Sequence, residues 1–543
     1  MTVPPSSFPA TFPNGTPDAP EGPGARGFVL IFFLGVVIRL FACQHTHIVN
    51  PDGVYYIHQA KAIYFGEWNS LTSCCLSFVS SYPFFVAGAY ALFEEWVVAA
   101  RFVSLFFGSM TLIPLHLLCK RFFEKDINLL TLLVFATLPV FVSGSAEVIR
   151  DPVCWFFLSL GLYFFIRSYE KNDRLFLLFS CLSFLMASWA RIESFVFILV
   201  GCVCLLTVPE GRRIRKAVAF AVPLMGALLL ILWAVIFLDK PLVQTLRLND
   251  IVDKLSAPVL AYEALRSGLE GLMEHPFDGV TPHFLHKTRE LVWLVALGTV
   301  VKYMIKAYFY LFFILFILGL GSVWHRLRED RRILYLSFTA VSLFGVFYLH
   351  VIQTWMMFDR FWAIFMLPAF MVVGFGLQKG VFLLTSRCRL KKSMALSILG
   401  LLILLCALPK DLKSREADKT IYKEIGELIA HREGNDREIR IVKSLRTPDW
   451  SAFYANLNYR GVACPRTHFG MEPDPFDEVV FKDYEVFIGY LKRNHIPYFL
   501  WEEKVWPTDG FDFLNQREPG DLEKLGSWHH ADVGKIILYS VIS

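Results

Sequence analysis

Apolar positions along this chain come in long unbroken runs, not in the alternation of a half-buried strand or the three-to-four spacing of a soluble amphipathic helix. Runs long enough to cross a bilayer lie near residues 28–44, 99–119, 127–146, 152–166, 175–190, 194–208, 217–238, 300–324, 333–352, 361–383 and 393–409. This pattern predicts a polytopic α-helical membrane protein with about 11 transmembrane helices. A further run around 82–97 reads as a half-span. Composition agrees: 55% of residues are hydrophobic and 16% aromatic, too apolar for an ordinary soluble domain. The net charge of +5 supplies no basic stripe, which excludes nucleic acid as a partner.

Charge between the runs sets the expected orientation. Alternate connections carry Lys120/Arg121/Lys125, Arg167/Lys171/Arg174, Arg212/Arg213/Arg215/Lys216, Arg326/Arg328/Arg331/Arg332 and Arg387/Arg389/Lys391/Lys392, whereas the intervening turns hold only Arg150, Arg191 and Arg360. By the positive-inside rule the basic loops are cytoplasmic, with the N-terminus inside and the C-terminus outside. The chain then divides into a proline-rich disordered tail (1–26), a transmembrane body (27–409) with long outer loops at 45–98 and 239–299, and an outer α/β domain (410–543). Within that domain the pattern predicts helices at 419–431 and 484–494 and strands at 439–442, 497–500 and 536–539. Residues 54–65 in the first outer loop are spaced for an interfacial helix.

Ionisable residues at the outer ends of spans are costly to keep, so their grouping points to a site. Asp52 lies in Asn50-Pro51-Asp52-Gly53-Val54-Tyr55-Tyr56, where Asn50 suits an N-cap and Pro51 a first turn. Asp52 reads either as a capping carboxylate or as a general base held ionised by the helix N-terminus, with Tyr55, Tyr56 and Gln59 beside it to bind a polar ligand. Three more outer turns pair an acid with an arginine: Glu147-Val148-Ile149-Arg150-Asp151-Pro152, Arg191-Ile192-Glu193 and Asp359-Arg360-Phe361. Arg39 ends the first span on the same side, and Lys302 and Lys306, one turn apart, form a cationic pair suited to phosphate. Capping, snorkelling and interfacial anchoring are the structural alternatives for each alone.

His45, His47 and His58 match no specific ligand spacing, so no metal site is assigned, although a divalent cation stays open. Most of the eleven cysteines fall in apolar runs and imply no disulfide framework; Cys74 and Cys75 are adjacent in a loop, where pairing would be strained. No phosphate-binding Gly-x-x-x-x-Gly-Lys-[Ser/Thr], dinucleotide Gly-x-Gly-x-x-Gly, His-Glu-x-x-His or Gly-x-Ser-x-Gly motif occurs. Chemistry on the outer face therefore needs a substrate activated there, which points to a lipid carrier.

Taken in order, Arg39 at the end of span one, Asp52 with Tyr55 and Tyr56, Tyr82-Pro83, Arg101, Glu147-x-x-Arg150-Asp151, Arg191-x-Glu193 and Arg360-Phe361 before a span bearing Pro368 resemble the GT-C glycosyltransferases. More narrowly they resemble the protein O-mannosyltransferase and aminoarabinose-transferase-like group, glycosyltransferase family 39 type. The resemblance implies an inverting enzyme that moves a sugar from a polyprenyl or dolichyl phosphate to a hydroxyl acceptor (glycan, lipid or protein) on the outer face of a bacterial inner membrane, or of the ER in a eukaryote. It further implies Asp52 as catalytic base, Asp151 as its assistant, and Arg39, Arg150, Arg191, Arg360, Lys302 and Lys306, with Glu147, Glu193, Tyr55 and Tyr56, as substrate and phosphate contacts. Many relatives carry Asp-Glu where this chain has Asp52-Gly53, so the second acid is missing. The rival readings are a transporter or flippase of lipid-linked sugars, for which the sequence shows neither repeats nor broken helices, and a non-catalytic assembly subunit.

Overall fold

The computed structural model describes residues 24–73, 76–171, 173–207, 213–237, 248–274, 279–443, 450–464, 481–508, 510–516 and 520–542. The expected tail over 1–26 lies outside them up to residue 23, as do Cys74 and Cys75. Helices dominate, as the apolar runs require of chain that must satisfy its own backbone in lipid. Among the described residues six helices are long and apolar enough to cross a membrane, or up to nine if each of three bent pairs counts as one span. Shorter apolar helices at Arg174–Ala190 and Ile192–Leu206 occupy the positions of two expected spans, and Tyr82–Phe93 that of the half-span.

The bends correct the expectation of unbroken helices. Lys125–Thr137 and Pro139–Ala146 meet at 48°, and Asp359–Met366 and Phe370–Ser386 at 78°. Each break lies at a proline, Pro139 or Pro368, which can donate no backbone hydrogen bond. The expected span 300–324 is instead two helices, Pro282–Ala307 and Leu311–Arg326, set 110° apart. Phe309 and Tyr310 between them take positive φ of 50° and 54°, a turn that no glycine or proline announces. Leu311–Arg326 then crosses Phe370–Ser386 so closely that a β-carbon on Gly319 or Gly376 would strike the other helix's backbone, the small-residue packing that membrane helices use.

At the end carrying the basic loops, Glu170 accepts ion pairs from Arg121 (3.3 Å), Arg167 (2.9 Å) and Arg332 (3.1 Å), and Lys392 reaches Asp126 (3.0 Å). The opposite end gathers the acid–arginine turns and the C-terminal region.

That region holds a four-stranded sheet, β1 (Ile441–Lys443), β2 (Tyr498–Glu502), β3 (Leu522–His530) and β4 (Gly534–Val541), in the order β1-β2-β4-β3. β1 is parallel to β2 and the other pairings are antiparallel, with a bulge between Lys524 and Gly526. Helices Thr420–Glu433 and Tyr484–Arg493 stand where the pattern placed them. β3 escaped notice because it is an edge strand, with exposed or half-exposed residues along its middle and no apolar alternation. Cys464 is disulfide-bonded, against the expectation of no disulfide, while eight other cysteines are free thiols.

The helix foreseen at 54–65 spans Pro51–Phe65, but it is not laid bare at an interface: residues 53, 54 and 56–62 are buried. Its polar side chains are taken up beneath the C-terminal region. Lys61 Nζ donates to the carbonyls of Asn456 (3.0 Å) and Leu457 (3.3 Å), and His58 bonds the carbonyls of Ala463 (2.9 Å) and Ser70 (3.1 Å). Burial pulls Lys61 down to about 8, with Glu67 working the other way.

Candidate active site

Pro51 opens the helix and Asp52 sits in its first turn, as the sequence requires. Asn50 occupies the N-cap position without capping; its Oδ1 accepts instead from Val148 N–H at 2.9 Å, tying the Asp52 loop to the turn at 147–151. That crossing leaves no room at Gly53. A β-carbon there would lie 2.7 Å from Val148 Cβ and 2.8 Å from both Asn50 Oδ1 and Val49 Cγ1. Where the resemblance implies a second acid, this chain has a glycine packed against the side chains of Val148, Asn50 and Val49.

The Asp52 carboxylate, its side chain 42% exposed, accepts from Arg360 Nη2 at 2.5 Å. Arg360 belongs to the short turn Asp359–Phe361, whose first residue pairs with Lys306 Nζ at 3.0 Å and whose last lies under the Arg191 guanidinium, 4.1 Å from the ring centroid. Arg191 in turn donates to Asp151 at 2.5 Å, both side chains only 3% exposed, and lies 3.5 Å from Glu193. All four acid–arginine turns therefore meet through one chain of contacts.

Burial opposes the charges on Arg191 and Arg360, but neighbouring carboxylates outweigh it and hold both above the usual arginine range: Asp151 and Glu193 act on the first, Asp151 and Asp52 on the second. Burial pushes Glu147 up to about 7; Arg360 and Arg415 oppose the rise, and Asp151 and Glu416 add to it. Glu147 thus belongs to the same field of charge without an ion pair of its own among the described residues. Arg150 lies over the Phe78 ring at 4.7 Å. Tyr56 is buried within reach of the charges of Arg150, Asp52, Asp151 and Arg191, edge-on to Tyr82. The Tyr82 hydroxyl bonds Ala100 O and Ser104, and Ser104 donates to Ile149 O, so the Tyr56 wall is braced against the 147–151 turn. Tyr55 is partly buried against the core.

Other candidates stand apart. Arg39 does not snorkel outward: it is buried and donates to Ala136 O (2.7 Å), Phe135 O (3.4 Å) and Ser145 Oγ (3.3 Å). The Pro139 break strips Phe135 O of its usual helical donor, and Arg39 supplies one. Gln59 is likewise spent on the carbonyls of Leu71 (2.9 Å) and Phe78 (2.7 Å). Lys302 is exposed beside Tyr303, and only Lys306 of the pair reaches the turns. The sequence reading missed Arg415, whose charge acts on Glu147 and whose Nη1 is buried without a partner. It lies just past the last span among Lys410, Lys413 and Lys419, a cluster that reads as ordinary span-end anchoring.

Among the described residues, Asp418, His530 and Asp532 could bring three ligand atoms within 4.8 Å of one another. His530 Nδ1 accepts from Asp532 N–H at 3.1 Å, so the neutral ring carries its proton on Nε2, the nitrogen facing Asp418 at 3.6 Å. The donor set therefore fits a cation poorly unless that bond is given up. His45, His47 and His58 face Phe41 O, Ser414 Oγ and two carbonyls respectively, not one another.

Residues 81–237 match the family model described as dolichyl-phosphate-mannose-protein mannosyltransferase. Comparison with curated protein sequences gives no significant match. Among solved structures, ArnT from Cupriavidus metallidurans bound to undecaprenyl phosphate superposes with a TM-score of 0.57 at 14% identity, over 96% of this chain and 99% of that one. The oligosaccharyltransferase of Archaeoglobus fulgidus, in complex with Zn and sulfate, gives 0.57 at 11% identity over 94% and 72%. The Archaeoglobus fulgidus enzyme AglB with an inhibitory peptide and a dolichol-phosphate gives 0.54 at 12% over 95% and 74%. This multi-pass chain therefore shares the fold of these solved structures, and over residues 81–237 it is similar to the mannosyltransferase family.

Proposed function

We propose that the chain is an inverting glycosyltransferase that moves a sugar from a polyprenyl-phosphate carrier to a hydroxyl acceptor at the end of the membrane body bearing Asp52, the periplasmic face in a bacterial inner membrane. The observation that carries this is the contact chain Asp52–Arg360, Phe361–Arg191, Arg191–Asp151. It sets one accessible carboxylate against a group of arginines. In the reaction Asp52 takes the acceptor hydroxyl proton as its oxygen bonds the anomeric carbon. The bond from that carbon to the phosphate oxygen breaks with its electrons, and the phosphodiester monoanion leaves as a monoester with one more negative charge. Arg360 and Arg150, with Lys306 at the rim, are placed to meet that charge. Asp151 is buried and committed to Arg191, so it orients that arginine and does not meet the acceptor. The carrier-phosphate complexes of ArnT and AglB support the donor class.

The broken helices would suit a transporter, but the break at Pro139 is filled by Arg39, leaving no ligand seat there. In the test, membranes containing the chain are given undecaprenyl phosphate bearing radiolabelled mannose, glucose or aminoarabinose, and transfer is followed for the unaltered chain and Asp52→Asn. Loss of a general base lowers the rate by about 10² to 10⁴. Transfer from none of these donors, or transfer unchanged in Asp52→Asn, overturns the reading.

A further inference from the structure

The loop that delivers Asp52 is clamped by residues far away in the chain. Both backbone groups of buried Val49, three residues before Asp52, are bonded to side chains of the C-terminal helix Trp450–Ala455: its carbonyl accepts from Trp450 Nε1 at 2.7 Å, and its N–H donates to Tyr454 Oη at 2.9 Å. Just upstream, His47 N–H donates to Arg415 O (3.2 Å), Arg415 N–H donates to His45 O (2.9 Å), and Arg101 holds Thr46 O (2.6 Å). Downstream, the helix bearing Asp52 is gripped by the same C-terminal stretch through Lys61 on Asn456 O and Leu457 O and His58 on Ala463 O. His58 and Lys61 lie three residues apart on one helical face, so 450–463 sits across the first loop as a saddle with contacts on both sides of Asp52.

A covering domain needs only apolar contact to stay attached. Satisfying both main-chain groups of a single residue fixes the position and rotation of that peptide, and Asn50, next in sequence, is fixed in turn by its bond to Val148. Gly53, beside Asp52, is hemmed in by Val148 and Val49, so Asp52 moves with this clamped loop.

We propose that Trp450 and Tyr454 are positioning residues for the transfer reaction: through Val49 they set the Asp52 carboxylate against the acceptor, and the C-terminal region is thereby part of the catalytic apparatus. The proposal rests on Asp52 as base. Tyr454→Phe removes one hydroxyl and keeps the ring that packs, whereas Trp450→Phe removes the indole N–H together with part of the ring volume, so Tyr454→Phe is the cleaner variant. Full-length variants are assayed with the same labelled undecaprenyl-phosphate sugars, measuring kcat and donor KM separately. Misplacing a catalytic group by about 1 Å costs up to about a hundredfold, so kcat should fall by about ten- to a hundredfold in the double variant with donor KM unchanged. In the Asp52→Asn background the same substitutions should slow transfer no further, because the group they position is gone.

Full kcat in both Trp450→Phe and Tyr454→Phe, alongside a large loss in Asp52→Asn, overturns the positioning role and leaves the transferase reading intact. So does a loss that multiplies with Asp52→Asn, which marks a general folding defect, or one that appears in donor KM and not in kcat, which marks a disturbed donor site. If Trp450→Phe fails to reach the membrane, Tyr454→Phe alone decides by the same split. No loss in Asp52→Asn itself overturns the underlying reading.

Discussion

A side chain at position 53 has nowhere to go, and this decides how the site differs from the Asp-Glu pattern of the group it resembles. Asn50 gives up capping its own helix to bond Val148, which brings two outer turns to within one atom's thickness of each other over Gly53. Gly53→Ala adds one methyl group against Val148 and Val49, and overpacking of this kind costs about 1–3 kcal/mol. The change is expected to lower the melting temperature of the detergent-solubilised protein and to cut transfer more than Ala at exposed Lys302 does; equal behaviour of the two would show that the crossing is loose. Glu147 makes the same point in charge. Its raised pKa comes from burial, which Arg360 and Arg415, far away in sequence, only partly oppose.

At the level of elements, the site is made of turns, and buried ion pairs hold the turns together. Arg191 and Asp151 come from opposite ends of a helical hairpin, Asp151–Lys171 and Arg174–Ala190, and close its open end at 2.5 Å. Removing one partner of a buried pair leaves an uncompensated charge and typically costs 3–5 kcal/mol. Glu193, 3.5 Å from the same guanidinium, softens the loss. Asp151→Ala is therefore expected to destabilise the protein by about 3 kcal/mol, near the low end of that range, read by thermal melting in detergent. Asp151→Ala/Arg191→Met should recover part of that stability but not the activity; a double variant no more stable than the single would show that the pair is not what closes the hairpin. The helix breaks follow a different logic. Two lie at prolines, and the guanidinium of Arg39 fills the first, so an arginine that reads as an outer phosphate contact is a structural donor within the membrane body.

Across the whole molecule, charge separates into two ends. Glu170 gathers the arginines of three basic loops at one, while the acid–arginine turns and the C-terminal region share the other. Charge bias predicts that the basic end is the cytoplasmic one. The disulfide at Cys464 in the C-terminal region argues independently for an oxidising compartment on the opposite side. Alkaline phosphatase fused after Ile542 should accordingly be active in a bacterial host and inactive when fused after Arg328. The reverse pattern would turn the site to the cytoplasm and remove the reason for a lipid-carried donor.

The order of apolar runs, the alternation of basic loops, and the placement of Asp52, Asp151, Arg191 and Arg360 at the ends of apolar runs were determined by the sequence itself, because bilayer thickness and charge asymmetry act on short stretches of chain. Strands β1, β2 and β4 and the two C-terminal helices were readable because their apolar spacing is also local. Tertiary structure alone decided which of those ends meet. Arg39 and Arg360 look alike as span-end arginines, yet one fills a helix break and the other holds the Asp52 carboxylate. Trp450, Tyr454 and Arg415 lie more than 350 residues from the loop they hold. Contacts across such separations leave no periodic trace in a single chain, since each of the hydrogen bonds that fix them ends on a main-chain group of the kind every residue possesses.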